Sequence, residues 1–165
     1  PLTGPERLEA AASHFRRLCW VSSELCCYIC QTNLGVLDMF GHVVLGTNDF
    51  IAAKAFYDSA LAVLNIPEGQ LNEQKQRVFY RTETGMLVLA KPIDGKPATI
   101  GNGSTLGFKC TSAEQAKNFH DTCVAEGGKS IEDPPGWREL GGNKVYLAYV
   151  RDLDGHKLSA VYRSG

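Results

Sequence analysis

The sequence has no run of basic residues and almost no net charge, because 17 basic and 18 acidic side chains balance to −1. Proteins that bind nucleic acid or anionic membranes usually concentrate Lys and Arg in one stretch or on one face. The longest apolar stretch, 18–30, is too short and too polar to span a bilayer, since it contains Ser22, Ser23 and Glu24. Neither nucleic acid nor a membrane is therefore an expected partner.

The sequence also lacks a complete cysteine-based metal or redox motif. The pattern Cys27-x-x-Cys30 is followed by no second CxxC or His pair that would complete four zinc ligands. There is no cleavable signal pattern, and the chain is longer than the small secreted scaffolds that depend on disulfides. We therefore expect a cytoplasmic protein with reduced thiols, in which the cysteines of 26–30 fill space on a helical face.

What the sequence does contain is an internal repeat. The segment FGHVVLGTNDFIAAKAFYD at 40–58 superposes without gaps on GSTLGFKCTSAEQAKNFHD at 103–121, a shift of 63 positions. The first residues of each copy alternate between apolar and small or polar side chains, as in a β-strand. Asp49 and Ser112 are suitable N-cap residues, and apolar residues follow each of them at helical spacing. Each copy is predicted to be a strand followed by a helix.

A second match lies further along each copy. FYRTETGMLVLA at 79–90 matches YVRDLDGHKLSA at 149–160, a shift of 70, and each segment reads as a hairpin with a glycine at its turn. The larger shift implies seven extra residues between the second helix and the last hairpin, where 132–142 reads as a long loop. Two βαβββ units are thus predicted, and since each alone buries little surface, they should share one sheet system.

The segments GHVVLGTNDFIAAKAFYDSAL and YLAYVRDLDGHKLSAVYR resemble the opening and closing motifs of vicinal-oxygen-chelate proteins, which include glyoxalase I, bleomycin-resistance proteins and extradiol dioxygenases. The resemblance covers residues 39–163. It implies an α+β fold, in which tandem βαβββ modules at about 39–95 and 100–163 form a cupped eight-stranded mixed sheet (the glyoxalase/bleomycin resistance/dihydroxybiphenyl dioxygenase fold). Residues 1–38 are expected to be an N-terminal extension, helical from its apolar spacing. The family commonly forms dimers, so a homodimer is expected.

The resemblance further implies a ligand on the concave side of the sheet and, in the enzymes, a divalent metal that stabilises an anionic intermediate. The family's metal ligands come from the first and last strand of each module. The corresponding residues here are His42, Leu89, Thr105 and Ser159. Only His42 is a strong ligand, and a divalent ion needs several donors. His42 would therefore be the metal ligand if a metal binds, and no cofactor is assigned.

Three of these residues are candidates for a ligand site. His42 is interpreted either as a hydrogen-bonding residue of the pocket wall or as a catalytic acid–base residue, since imidazole titrates near neutral pH. Thr105 and Ser159 occupy ligand positions of the family, where their hydroxyls either bind a substrate or fill space.

Aromatic residues add two candidates. Trp137, in the Pro-Pro-Gly segment, is expected either to close over a ligand or to anchor its loop. Tyr146 and Tyr149 should point to opposite sides of one strand, so only one of them reaches the pocket, and Tyr146 is included as a ligand-binding candidate. His120, on a helix, and His156, after a turn glycine, are expected in solvent.

Three functions remain open at this point. The first is a protein that binds a small organic molecule in the groove without chemistry. The second is a metal-dependent enzyme of the lyase, isomerase or dioxygenase type that uses His42. The third is an interaction module led by the extension 1–38. The incomplete ligand set favours binding over metal chemistry.

Overall fold

The structure, a computed structural model, describes residues 40–164; the cysteine cluster and the expected helical extension lie outside the described residues. This part forms two helices, Phe50–Ala62 (α1) and Ala113–Ala125 (α2). Its nine strands are His42–Gly46 (β1), Gln70–Asn72 (β2), Arg77–Thr82 (β3), Gly85–Ala90 (β4), Leu106–Lys109 (β5), Lys129–Ser130 (β6), Gly136–Leu140 (β7), Asn143–Arg151 (β8) and Lys157–Arg163 (β9). No helix in 40–164 is long and apolar enough to cross a membrane.

The strands form two sheets with the same order. The first is β1-β4-β3-β2, and the second is β5-β9-β8-β6, with β7 also paired to β8. β1 runs parallel to β4, and β5 runs parallel to β9. The remaining strand pairs are antiparallel. Since β6 and β7 pair with successive stretches of one edge of β8, the nine strands of 40–164 fill eight positions. The predicted repeat and the α+β fold class are confirmed.

Both helices begin at the predicted caps. The Asp49 carboxylate accepts hydrogen bonds from the backbone N–H groups of Ile51 and Ala52, and the Ser112 hydroxyl accepts one from the N–H of Gln115 at 3.0 Å. These bonds satisfy donors that the first turn of a helix leaves free. The Gln115 side chain also donates to the carbonyl of residue 63, at 2.9 Å, and so ties the start of α2 to the end of α1.

The core lies between the two helices and one face of each sheet. The predicted apolar positions Phe56 and Ala60 on α1, and Phe119 and Cys123 on α2, are at most 1% exposed. They belong to one cluster with strand residues from both sheets, namely Val78, Tyr80, Leu87, Leu89, Ala148, Val150, Leu158 and Ala160. One face of each sheet thus packs on a shared helical layer, which leaves a second face on each sheet.

The two sheets meet along β1. The Gly46 carbonyl, at the end of this edge strand, accepts a hydrogen bond of 2.7 Å from His156 Nε2, just before β9. The Asn48 backbone N–H donates to the Asp154 carboxylate at 2.9 Å. Val43 of β1 and Leu106 of β5 also line the same cavity. The two sheets therefore adjoin at the β1 edge of the first sheet.

The prediction of a long loop at 132–142 was wrong. Gly136–Leu140 is a strand that pairs with 143–147 of β8, and only 131–135 remain as a connection. Gly141 and Gly142 form the hairpin turn with φ of 58° and 81°, values that favour glycine. The segment was interpreted as a loop because prolines and glycines stand at both ends of a strand of only five residues. The extra residues lengthen the β7–β8 hairpin.

The repeat also includes a Lys–Asp pair at i,i+4 on each helix, Lys54–Asp58 and Lys117–Asp121. Asp58 accepts two further hydrogen bonds, from the N–H of Gly69 and the hydroxyl of Tyr80, both at 2.9 Å. Burial opposes ionisation of Asp58, but these donors and the Lys54 ammonium outweigh it and hold the pKa of the carboxyl below its usual value.

We expect Asp58→Asn to flatten the acid limb of the stability curve. Because the pKa of Asp58 is lower in the folded than in the unfolded state, its carboxylate stabilises the fold above about pH 4, and this stabilisation is lost as the pH falls through the folded pKa. Urea unfolding at several pH values between about 2 and 6 measures the slope. Asp94→Asn, in an exposed loop, is the control and should keep the wild-type slope. A wild-type slope in Asp58→Asn would contradict the prediction.

Candidate functional site

Strand register sets which side chains share the second face. In the first sheet, three rows cross β1, β4 and β3: His42–Met86–Arg81, Val44–Val88–Phe79 and Gly46–Ala90–Arg77. In the second sheet, the equivalent rows cross β5, β9 and β8. The first of them has no residue on β5, and the three rows are Lys157–Arg151, Gly107–Ser159–Tyr149 and Lys109–Val161–Leu147. The middle row of each sheet thus combines an aromatic ring with apolar or small residues, and most charged side chains lie in the outer rows.

The register corrects one equivalence within the repeat. Ser159 pairs with Gly107 as Val88 pairs with Val44, so Val88, and not Leu89, is the counterpart of Ser159. The β8–β9 turn has one more residue than the β3–β4 turn, which raises the shift from 70 before the turn to 71 after it. A slip of one residue moves a side chain to the other face of a sheet, and Leu89 accordingly lies in the helical core.

His42, Thr105 and Ser159 occupy different parts of this region. His42 is exposed at the start of β1, where it lines a cavity of about 230 Å³ with Met86 and Gly107. Ser159 is 5% exposed, in the middle row of the second sheet. Thr105 lies directly before β5 and lines a separate cavity of about 220 Å³. The structure therefore places His42 on the second face of the first sheet and Ser159 on the second face of the second sheet, while Thr105 belongs to a separate cavity.

The structure corrects the expected position of two aromatic candidates. Trp137 and Tyr146 are paired across β7 and β8, with ring centroids 5.6 Å apart, and Trp137 also contacts Tyr162 at 5.9 Å. These three residues lie on the face toward the helices, because Tyr146 belongs to the core cluster and Tyr162 packs against it. Alternation along β8 puts Tyr149, and not Tyr146, on the face with Ser159. As ligand contacts, Tyr146 and Trp137 would need a site on the helical side.

A buried polar network fixes the β8–β9 turn beside this region. The Asp152 carboxylate accepts hydrogen bonds from the Tyr57 hydroxyl and the His156 backbone N–H, both at 2.7 Å. Asp152 and His156 are 7% and 8% exposed, so the expectation that His156 is solvated was wrong. Burial raises the pKa of Asp152, and burial followed by the nearby Asp152 carboxyl raises the pKa of Tyr57. The turn is thus a structural junction between α1, β1 and the second sheet.

His120 is also buried, at 7% exposure, although it was expected in solvent. Its Nε2 lies 2.9 Å from the Ser130 hydroxyl, and its Nδ1 lies 3.1 Å from the Asp121 carboxylate. A helical position alone could not predict this, because the partner Ser130 comes from β6. This histidine joins α2 to the edge of the second sheet.

Four residues that the sequence analysis did not assign to a site form two matching pairs on the second face. The Arg81 guanidinium carbon lies 4.8 Å from the ring centroid of Phe79, and the Lys157 ammonium lies 4.6 Å from that of Tyr149. Phe79 and Tyr149 are equivalent in the repeat at a shift of 70, which is the signal that could have found the two rings. Arg81 corresponds to Arg151 and Lys157 to Met86, so the repeat does not predict the cations. Such cation–aromatic contacts hold a positive charge over an apolar surface.

The residues of this region do not fit the metal site of the family's enzymes. Among residues 40–164, no group of three or more His, Cys, Asp or Glu side chains is placed to hold a metal ion. The corrected set of family positions is His42, Val88, Thr105 and Ser159, in which only His42 is a strong donor. Arg81 and Lys157 add positive charge to the same face, which opposes cation binding.

No protein-family model and no curated protein matches the sequence. Among solved structures, a glyoxalase/bleomycin resistance protein from Albidiferax ferrireducens T118 is 48% identical, with a TM-score of 0.73, and the match covers 76% of this chain and 99% of that one. A putative glyoxalase from Bacillus halodurans is 19% identical, with a TM-score of 0.62 and coverage of 79% and 99%. A lactoylglutathione lyase from Agrobacterium tumefaciens is 20% identical, with a TM-score of 0.52 and coverage of 73% and 90%. The Bacillus and Agrobacterium proteins share only the fold with this chain. The Albidiferax protein is also similar in sequence over most of its length, and the chain therefore belongs to the glyoxalase/bleomycin resistance family of the vicinal-oxygen-chelate superfamily.

Proposed function

We propose that the protein binds a small organic molecule in the groove formed by the second faces of the two sheets, and that it does so without a metal. The observation that carries this proposal is the middle row of each sheet. Val44, Val88 and Ser159 offer a floor of apolar or small side chains, and the rings of Phe79 and Tyr149 stand beside it. A mostly apolar concave surface with a few polar groups is typical of small-molecule sites.

In this proposal the polar groups around His42 orient the ligand. His42 lines the cavity of about 230 Å³ together with Thr82 and Thr84, whose hydroxyls donate and accept hydrogen bonds. In this proposal His42 contacts the ligand and need not take part in catalysis. The 48% identical structure is named for both glyoxalase and bleomycin resistance, and the second name fits binding without chemistry.

The homodimer and the cytoplasmic location predicted from the sequence remain part of this proposal. The family resemblance supports the dimer. Sedimentation equilibrium of the full chain measures its oligomeric state. A monomer at all concentrations tested would contradict the predicted homodimer.

Filling the groove should abolish binding. Val44, in the middle of β1 on the second face, is 53% exposed, and Ile51 on α1 is 55% exposed, so the two positions tolerate large side chains equally well. We expect Val44→Trp to lose the compounds that the wild type binds from a small-molecule library in saturation-transfer NMR, because the indole occupies the groove. Ile51→Trp, the matched control, should keep them. Unchanged binding by Val44→Trp would refute the groove as the site.

The metal-dependent alternative has its own readout. Protein prepared without chelators should contain less than stoichiometric Zn, Ni, Mn or Fe by mass spectrometry, and His42→Ala should not change that content. Stoichiometric metal that disappears in His42→Ala would overturn metal-free binding. It would favour the enzyme of the lyase, isomerase or dioxygenase type, in which His42 is a ligand.

A further inference from the structure

The strands carry an unequal share of the charge of the chain. Over the whole sequence, 17 basic residues face 18 acidic ones. The nine strands of 40–164 nevertheless contain a single acidic residue, Glu139, and nine basic ones, Arg77, Arg81, Lys109, Lys129, Arg138, Lys144, Arg151, Lys157 and Arg163. Within residues 40–164, the other acidic residues therefore lie in helices and connections.

Nearly all of this positive charge lies on the second faces of the two sheets. Strand register assigns Lys144 to the helical side, where it pairs across the hairpin with Glu139. The other eight basic residues fall on the second face, in register with residues such as Val88, Tyr149 and Ser159. A face with one sign of charge attracts ligands of the opposite sign.

Acidic neighbours neutralise only part of this charge. Glu132 pairs with Lys157, and the Asp133 carboxylate lies 3.8 Å from Arg138. Glu83 lines the cavity beside Arg81, whose guanidinium donates to the Gln70 side chain at 2.6 Å. Among residues 40–164, three acidic side chains thus adjoin eight basic ones, and these strand faces keep a positive balance.

Two of the basic residues are held where a ligand would meet both a charge and a ring. Arg81 lies over Phe79, and Lys157 lies over Tyr149, in the equivalent outer rows of the two sheets but on different strands. Arg81 also shares its row with His42, which adds a second nitrogen donor at that end of the groove. Guanidinium and ammonium groups form their strongest hydrogen bonds with carboxylate, sulfonate or phosphate oxygens.

We infer that the groove selects an organic anion, a molecule with an apolar or aromatic body and at least one carboxylate, sulfonate or phosphate group. This inference rests on the proposed function, because it names the class of ligand for the same groove. The apolar body contacts the middle rows, and Arg81 and Lys157 contact the anionic group.

Two dyes with the same aromatic body test the role of charge. 8-Anilinonaphthalene-1-sulfonate carries one sulfonate, and N-phenyl-1-naphthylamine is its neutral counterpart; the fluorescence of both rises in an apolar site. With the full chain, we expect the anionic dye to bind saturably at least about tenfold more tightly, as charge-assisted hydrogen bonds predict. Arg81→Gln and Lys157→Gln should each weaken the anionic dye about fivefold and leave the neutral dye unchanged.

Lys144→Gln is the matched control, since it removes a strand lysine from the helical side, and it should change neither affinity. Raising the salt concentration should weaken only the anionic dye. Equal affinity for the two dyes, or equal losses in Lys144→Gln and Arg81→Gln, would overturn the anion inference. If Val44→Trp still abolished binding of both dyes in that case, the proposed groove would stand while its preference for anions fell.

Discussion

Asp152→Ala is expected to lower the free energy of unfolding by about 3 kcal/mol. Its carboxylate is the acceptor for the Tyr57 hydroxyl at 2.7 Å and for the backbone N–H groups of His156 at 2.7 Å and Asp154 at 3.1 Å. Alanine accepts none of these bonds. Tyr57 is 1% exposed, so its hydroxyl would remain buried without a partner, and each such group costs about 1–3 kcal/mol.

Two variants separate this network from general damage to the turn. Leu153→Ala changes the adjacent residue, which is 45% exposed, and should alter stability by no more than about 0.5 kcal/mol. Tyr57→Phe removes one donor and leaves the carboxylate its two backbone partners, so its cost should be about 1 kcal/mol. Urea unfolding at neutral pH measures all three. A loss in Asp152→Ala as small as that in Leu153→Ala would contradict the structural role of the network.

The network also connects the two sheets. The same turn presents His156 to the Gly46 carbonyl and Asp154 to the Asn48 backbone, and these bonds hold the free edge of β1 against the second sheet. A polar cluster that takes no part in the proposed ligand contact therefore contributes to the arrangement of the two sheets.

Much of the fold could be predicted because its signals are local. The gapless shift of 63 contains a complete strand and the first turns of the helix in each copy, so alternation, caps and helical spacing could all be recognised within one segment. Asp49 and Ser112 cap the helices as expected, and Phe56 and Phe119 are buried as expected. These features depend on residues a few positions apart.

The site could be predicted less well because it depends on pairing between distant strands. One additional turn residue before β9 moves the counterpart of Ser159 from Leu89 to Val88, and no sequence pattern reveals that residue. His156 was expected in solvent because its acceptor, the Gly46 carbonyl, lies 110 residues away. The basic character of the second faces could likewise not be predicted from the net charge of −1. It depends on which strand residues share a face, and strand register determines that.

Gly128→Ala is expected to cost about 2–3 kcal/mol, although alanine is the smallest possible addition. A Cβ at this position would lie 2.7 Å from the Cys123 carbonyl oxygen, 2.8 Å from the Arg151 carbonyl oxygen and 3.1 Å from a ring carbon of Phe56. Both oxygens belong to backbone that is already fixed, since Cys123 O accepts from Gly128 N at 2.8 Å and Arg151 pairs with Lys129. Neither oxygen can move away from the new Cβ without breaking the contact between α2 and β8.

Gly41→Ala is the control, because a Cβ there meets nothing within 4 Å, and its unfolding free energy should stay within about 0.5 kcal/mol of wild type. Equal stability of the two variants in urea unfolding would show that the close approach at Gly128 is not required.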